Sequence, residues 1–484
     1  MPRPGFLDSL FWEGSTKRPA YMIDRRGFYD QRAAFVPWKA ALLYPRLLAR
    51  YFSFLIPPGA RVLELGCGSG DLLAAVKPAR GVGVDFSPNA IERAAQRHPG
   101  LEFHVAEAGE FTCAEQFDYI ILSDLVNSLD DVQVVLTHLH RFCHSRTRLV
   151  LNFFNNVWRP VLGLAEKLGA KAPTLQQNWL SNGDMRNLLH LAGWEVIKLD
   201  ARILFPADIP LLAPLLNRWL APLLKPLCLT VFMVARPQPR PDPNRHYRCT
   251  VVIPARNEAG NIEAAVQRMP EMGLGTEIIF IEGGSQDNTW EEIQRVAAKF
   301  PQSQIRMLKQ QGKGKGGAVR EAFAVAAGDL LFILDADLTV PPEQLPKFYD
   351  VARGGLADFV NGVRLVYPME DEAMQFANMV GNHFFSQAFS WLLGQRIKDT
   401  LCGTKVLFRS DYEAIARNRS YFGDFDPFGD FDLLFGAAKL NLRIADLPIR
   451  YQARTYGETN IQRWRHGVLL LRMVLFAAAR LKFI

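Results

Sequence analysis

LLFILDADLTV, residues 330–340, sets an apolar run against two carboxylates at alternate positions, Asp335 and Asp337. A short, continuous apolar run bounded by polar residues reads as a strand buried on both faces, as in parallel sheets. Both carboxylates then stand where the strand stops, and an irregular strand end can aim alternate residues at one cation. Hard divalent metals take such oxygens and commonly keep substrate phosphates as their other ligands. Two similar runs come before it, TVVIPARNE (250–258) and TEIIFIEGGS (276–285), each also ending in a polar loop. Helical stretches separate the three: NIEAAVQRM (261–269), TWEEIQRVAAKF (289–300) and GGAVREAFAVAA (316–327). Alternating strand and helix predicts an α/β sheet, whose ligands bind beyond the carboxyl ends of the strands.

The same alternation appears nearer the amino terminus, in ARVLELGCGSG (60–70), ARGVGVDFS (79–87), FDYIILSD (117–124) and TRLVLNFF (147–154), with a helix at PNAIERAAQRH (88–98). It predicts a second, parallel doubly wound sheet. Between the two halves lies RPQPRPDPNRHYR (236–248), where prolines alternate at 237, 239, 241 and 243. Such a run supports neither helix nor central strand and reads as a stiff linker. The expected organisation is one α/β domain over 1–236, a linker over 237–248 and a second α/β domain over 249–484, ending in an amphipathic helix.

The composition suits this plan. The 484 residues are 49% hydrophobic and 22% charged, more chain than one core usually serves. Six cysteines, at 67, 113, 143, 228, 249 and 402, form no CxxC pair, which argues against a disulfide framework or structural zinc. Residues 1–240 hold 27 Lys and Arg against 21 Asp and Glu, a mild excess that suits a soluble surface better than nucleic acid, which is not an expected partner. The opening MPRPGFLDSLFW has no apolar run of signal-peptide length, so a cytoplasmic location is expected. Two apolar segments fall short of a span of about 20 residues. Residues 203–235 are divided by charges and by five prolines that break helices. GVLLLRMVLFAAARLKFI (467–484) carries Arg472, Arg480 and Lys482 and reads as a helix lying on a membrane face or on the protein's own body.

In VLELGCGSG, Gly66, Gly68 and Gly70 follow a strand directly, where missing side chains let the backbone turn and approach a ligand. Glu64 ends that strand. Asp85 ends the next, where a carboxylate can accept both hydroxyls of a ribose. Together these resemble class I S-adenosylmethionine-dependent methyltransferases over roughly 20–236. The resemblance implies that the three glycines line the methionine portion of the cofactor, Asp85 its ribose, and Glu107, in FHVAEAGEF, its adenine; a solvated loop charge is the alternative for Glu107. Methyl transfer needs mainly alignment, which leaves little trace in sequence. Asp124 and Asn127 after the fourth strand are positional candidates, with helix capping the equal alternative. His138, His140 and His144 read as helix surface.

In the second half, TVVIPARNEAGNI, FIEGGSQDNTW, GKGKGGAVREAF and LDADLTVPPEQL follow the order and spacing of family 2 glycosyltransferases of the GT-A fold, over about 248–462. That resemblance implies a nucleotide-sugar pocket with Pro254, Glu258, Glu282 and Asp287, and Mg²⁺ or Mn²⁺ held by Asp335 and Asp337 on the donor diphosphate. Gly283 stands where many of those enzymes carry a second acid. GKGKGGAVR lacks the GK[ST] ending of a Walker loop; Lys313, Lys315 and Arg320 are cationic candidates for phosphate, with solvated helix-end lysines the alternative. With IKDTLCGTKVLF it is similar to the dolichyl-phosphate glucosyltransferase and mannose synthase branch, although Leu401 and Thr404 replace a Gln and a Phe of that motif. That likeness implies a polyprenyl phosphate acceptor near Asp399, phosphate contact by Arg454, and peripheral attachment to the cytoplasmic membrane face. Along 371–393, Phe376, Val380, Phe384, Ala388 and Trp391 read as a core stripe, leaving Met374, Phe385 and Phe389 for lipid. FGDFDPFGDFDLLF offers Asp424, Asp426, Asp430 and Asp432. For a hydroxyl acceptor, Asp430 or Asp432 would be the general base; an ionised lipid phosphate needs none. The expected function is thus a bifunctional transferase, moving a sugar from UDP-glucose, or next GDP-mannose, to a polyprenyl phosphate and methylating a second substrate. The alternative is a polysaccharide glycosyltransferase whose first domain serves as a cofactor-binding scaffold or regulator.

Overall fold

A computed structural model describes residues 27, 43–168, 171, 174–175, 177–240, 242–367, 376–421, 431–454, 456 and 463–484. Seven strands build the first sheet: β1 Arg61–Leu65, β2 Arg80–Asp85, β3 Glu102–Val105, β4 Phe117–Ser123, β5 Cys143–Phe154, β6 Trp194–Arg202 and β7 Thr230–Pro237, in the order β3-β2-β1-β4-β5-β7-β6. The first five run parallel, with Leu63 of β1 opposite Val82 of β2 and Ile120 of β4. The sheet is not parallel throughout, because β7 runs antiparallel to both β5 and β6. The β6–β7 connection, residues 203–229, holds helical turns at Leu212–Pro214 and Leu215–Leu220, so its prolines shorten the helix rather than exclude it.

Helices cover the faces of this sheet: α1 Leu43–Leu55, α2 Asp71–Ala75, α3 Pro88–Arg97, α4 Val132–His138, α5 Arg159–Lys167 and α6 Asn182–Leu191. α1 buries Leu47, Leu48, Tyr51 and Phe52 on one side, the spacing of a single helical face. α3 starts where the sequence indicates, since the Ser87 hydroxyl accepts the Ala90 amide at 3.2 Å and Pro88 fills the first turn.

The second sheet also has seven strands: β8 Cys249–Ala255, β9 Thr276–Glu282, β10 Gln304–Lys309, β11 Leu330–Ile333, β12 Phe359–Val363, β13 Lys405–Phe408 and β14 Ile444–Pro448. Their order is β10-β9-β8-β11-β13-β12-β14, with β13 antiparallel to its neighbours. Its helices are α7 Ala259–Gln267, α8 Thr289–Lys299, α9 Gly314–Val325, α10 Leu345–Arg353, α11 Phe376–Leu393, α12 Arg409–Arg417, α13 Phe431–Lys439 and α14 Arg463–Leu481. β11 is buried throughout and ends just before Asp335, as an apolar run between two parallel or antiparallel partners must.

Along α11 the expected faces hold only in part: Ala388 and Trp391 pack against the core as expected, and Phe385 is part-buried there with them. Phe389 is fully buried against Phe431 and Phe435, whereas Phe384, assigned to the core stripe, stands 55% exposed. Met374 lies outside the described residues. α14 rests on the protein's own body through Leu470, Met473, Ala477 and Leu481, and Val468, Leu471 and Leu475 face outward. Among the described residues, no helix is long and apolar enough to cross a membrane.

Candidate functional site

At the end of β1, Gly66, Gly68 and Gly70 have φ of 74°, 52° and 73°, a left-handed conformation that glycine adopts without steric cost. A Cβ on Gly66 would strike Leu125 and one on Gly70 would strike Phe103, while the space around Gly68 is open. The Gly68 amide donates to Asp85 Oδ2 at 2.9 Å, and the Ser87 amide donates to Asp85 Oδ1 at 3.0 Å. The structure therefore brings the glycine loop and the β2 carboxylate together. Glu64 is buried beneath them, with Oε2 lacking a hydrogen-bond partner among the described residues, and burial pushes its carboxyl well above the usual range. Glu107 is half-buried in the turn after β3, where its carbonyl accepts the Glu110 and Phe111 amides. An open glycine cradle, an acid at the next strand end and an orphaned buried carboxyl oxygen fit a nucleoside cofactor carrying an amino-acid portion.

Beside this cradle is a polar cluster that sequence reasoning reached only through Asp124. The Tyr44 hydroxyl donates to Asp124 at 3.0 Å, Asn152 Nδ2 donates to Asp124 Oδ1 at 2.5 Å, and the Thr230 hydroxyl donates to Tyr44 at 3.4 Å. Burial and the Asp124 charge push the Tyr44 phenol well up. Asn127 plays a structural part: it is buried, and its amide bonds the Asn178 carbonyl at 2.9 Å. The three histidines are half-buried rather than helix surface. His140 stacks on Trp194 at 4.7 Å, His138 bonds the Phe111 carbonyl and His144 bonds Asp118.

In the second sheet, the loop after β11 carries the paired carboxylates. Lys315, in the first turn of α9, sits 2.5 Å from Asp335 Oδ1. Burial works against the Asp335 charge, but Lys315 overrides it and holds the carboxyl below its usual range. Asp337 accepts Arg454 at 2.6 Å through Oδ2, while the Thr339 hydroxyl donates to Oδ1 at 2.8 Å. The same Arg454 reaches Glu258 Oε1 at 3.3 Å, and burial pushes the Glu258 carboxyl up. Arg454, Glu258, Asp337, Asp335 and Lys315 thus form one polar group at the carboxyl ends of β8 and β11.

Nearby, Asp287 accepts the Thr289 amide at 3.1 Å and the Tyr456 hydroxyl at 3.4 Å. Pro254 lies in β8, half-buried. Glu282, at the end of β9, is buried and accepts the Ser285 amide at 2.5 Å. Gly403, within the quoted DTLCGTK stretch, could not carry a side chain, because a Cβ there would collide with the Asp335 carboxylate and the Lys315 ammonium. Sequence reasoning missed this close approach. Among the described residues no three His, Cys, Asp or Glu side chains cluster as a metal site. Two carboxylates on one irregular strand end, with the backbone of Gly403 against one of them, fit a cation that takes its remaining oxygens from a bound diphosphate.

Two expected residues are placed differently. Asp399 is 2% exposed and fully engaged by Arg364, at 2.7 and 2.9 Å, which makes it a structural counter-ion of the β12 end. Asp432 stands at the start of α13, where Arg419 at 2.8 Å and Arg320 at 3.8 Å face it. Asp424, Asp426 and Asp430 lie outside the described residues.

Residues 37–199 match the family model described as "Methyltransferase domain", and residues 250–421 match "Glycosyl transferase family 2". The second half is 37% identical over 226 residues to dolichol-phosphate mannosyltransferase of Pyrococcus furiosus, covering 44% of this chain and 59% of that one. It is 29% identical over 221 residues to glycosyltransferase AglD of Haloferax volcanii, covering 44% of this chain and 34% of the relative. The chain thus spans less than two thirds of the length of these relatives. Among solved structures, an S-adenosylmethionine-dependent methyltransferase of Thermotoga maritima covers 44% of this chain at 16% identity and a TM-score of 0.33, with 96% of that chain matched. Glucosyl-3-phosphoglycerate synthase of Mycobacterium tuberculosis covers 48% at 18% identity and a TM-score of 0.36, with 80% of that chain matched. The first sheet thus carries a segment that matches methyltransferase domains, and the second sheet, with the paired aspartates after β11, carries a segment that matches family 2 glycosyl transferases.

Proposed function

We propose that the chain is a bifunctional enzyme. The domain over 249–484 transfers a hexose from a nucleoside diphosphate sugar to a polyprenyl phosphate, and the domain over 1–236, joined to it by 237–248, methylates a second substrate with S-adenosylmethionine. The observation that carries the first activity is the group formed by Lys315, Asp335, Asp337, Arg454 and Glu258. Asp335 and Asp337 would hold Mg²⁺ or Mn²⁺, which supplies charge neutralisation to the departing diphosphate. Lys315 and Arg454 reach the same carboxylates and are positioned to follow the phosphates as they arrive. Asp287, Glu282 and Pro254 border the space for the nucleoside.

The acceptor assignment draws on the names of relatives, one a dolichol-phosphate mannosyltransferase and another, 34% identical over 110 residues, an undecaprenyl-phosphate 4-deoxy-4-formamido-L-arabinose transferase of Aeromonas hydrophila. It also draws on Asp432, whose arginine partners suit a counter-ion better than a general base. An ionised phosphate needs no base. The mannosyl relative sets GDP-mannose beside UDP-glucose as donor. In the first domain, Gly66, Gly68, Gly70, Asp85, Glu64 and Glu107 would cradle the cofactor, with Tyr44 and Asp124 facing the methyl acceptor. Such a protein works at the cytoplasmic face of a membrane.

The test is transfer of labelled hexose from each donor into an organic-extractable polyprenyl phosphate, with Mg²⁺ or Mn²⁺. Label that enters the organic phase and vanishes with Asp337→Asn supports the reading. Donor binding without transfer to the lipid rejects the acceptor.

A further inference from the structure

We propose that residues 209–227 of the methyltransferase domain dock the chain on an anionic lipid bilayer, together with the outward face of α14. This deepens the polyprenyl-phosphate reading above and rests on it only for the purpose of the docking. Neighbouring antiparallel strands need a connection of only about 2–5 residues, yet residues 203–229 join β6 to β7. The extra chain hides little of its apolar content. Leu211 is 87% exposed and Leu223 61%, and Leu215, Trp219 and Leu227 also face outward. A run of such side chains in water calls for a partner. α5 lies alongside, tied by Trp158 Nε1 to the Leu227 carbonyl at 2.8 Å and by Asn155 to the Pro226 carbonyl at 3.0 Å. It adds the exposed Val161, Leu164 and Leu168. Of 26 large apolar side chains exposed among the described residues, 12 fall within 157–168 and 209–227.

The surface continues into the glycosyltransferase domain. Trp391 of α11 donates to the Pro222 carbonyl at 3.2 Å, and Phe483, just past α14, packs on Trp219 at 5.0 Å and on Trp391 at 6.2 Å. α14 then presents Val468, Leu471 and Leu475 beside the exposed Arg472. Charge selects the occupant. Residues 209–229 and 463–484 contain seven Lys and Arg and no Asp or Glu; Arg218, Arg472 and Arg480 among them are exposed, whereas Lys225 and the buried Lys482 are paired with Asp200. Leucines with interfacial tryptophans and cations of a single sign match an anionic bilayer surface. An interface with a second copy would set both signs against each other at its rim. The methyltransferase domain would then hold the glycosyltransferase helix α11 at the depth where a lipid phosphate arrives.

The experiment sediments the full chain with vesicles of phosphatidylcholine alone and with about 30% phosphatidylglycerol, neither containing polyprenyl phosphate. The expected result is binding to the anionic vesicles that falls about tenfold or more in Leu211→Gln/Leu215→Gln/Leu223→Gln. Those positions are exposed, so the variant should melt with the parent. Unchanged binding in the variant, absence of binding in the parent, or a concentration-dependent dimer that the variant abolishes would each overturn the proposal. Transfer to a short, water-soluble prenyl phosphate, measured without vesicles, should persist in the variant. If the parent fails that transfer while still binding vesicles, only the acceptor reading falls.

Discussion

Arg148, in β5 of the methyltransferase domain, donates to Asp358 at the start of β12 in the glycosyltransferase domain at 2.6 Å, and both side chains are largely withdrawn from water. Arg236 of β7 meets the other Asp358 oxygen at 3.3 Å and bonds the Gly355 and Leu356 carbonyls at 2.9 Å each. Glu195 closes the circuit, accepting Arg236 at 2.8 Å and Arg443 at 2.7 Å. The two sheets are thus joined by a largely buried, hydrogen-bonded charge network rather than by the linker alone.

Removing one member of such a network strands the others. Asp358→Ala leaves two buried guanidinium groups without their shared carboxylate, at a cost of about 3–5 kcal/mol. Scanning calorimetry should show one cooperative transition in the parent and two, the first at lower temperature, in the variant. A single, unshifted transition in the variant would mean that the domains are not coupled through Asp358.

This network was invisible in the sequence for a physical reason. Arg148 and Arg236 belong to the mildly basic first half, and a charge that will be paired across a domain boundary looks there like a solvated one. By contrast the glycine cradle, Asp85, Asp335 and Asp337 were legible, because strand ends place them by local rules: an apolar run stops and its next polar residues face the ligand side. Tyr44 was not, since it meets Asp124 across 80 residues through a helix that carries no motif. The stripe on α11 was legible only in part, since Ala388 and Trp391 pack inward but Phe384 does not. Phe384, Phe385, Phe389, Trp391, Leu392 and Leu393 surround the helix, so periodicity alone could not fix which face turned inward.

Beside the Asp335–Lys315 pair, the backbone at Gly403 leaves no room for a side chain. Gly403→Ala must displace Asp335 or Lys315, and a shift of about 1 Å at a positioning group costs roughly 100-fold in rate. Hexose transfer should fall by that order while S-adenosylmethionine binding to the other domain is unchanged, as read by calorimetry. Full transfer activity in this variant would show that the carboxylate position seen here is not the working one.

Asp85 carries the cofactor expectation in the first domain. A hydrogen bond to a charged group contributes about 1.5–3 kcal/mol, so Asp85→Asn should weaken S-adenosylmethionine binding by about tenfold or more. Nucleotide-sugar binding serves as the internal control and should not move. Equal affinity in parent and variant would place the ribose elsewhere in the cradle.

Lys198, in the cleft between the domains, provides a test by pH. Burial, with Lys482 and Lys439 nearby, lowers its ammonium to about 7 against the pull of Asp200, and its Nζ donates to the Ala438 carbonyl at 3.2 Å. Unfolded, a lysine titrates near about 10.4. Between those values the unfolded chain binds the additional proton, so stability rises with pH across that window and is flat in this respect below it. Lys439 and Lys482, each lowered to about 8, act in the same direction. Lys198→Met removes one buried charge and should stabilise the chain at pH 7 by about 1 kcal/mol or more. Urea unfolding at pH 7 and at pH 9.5 should show the parent gaining more stability than the variant over that interval, with a residual gain in the variant from the other two lysines. Equal gains in both proteins would mean that Lys198 stays charged in the folded cleft.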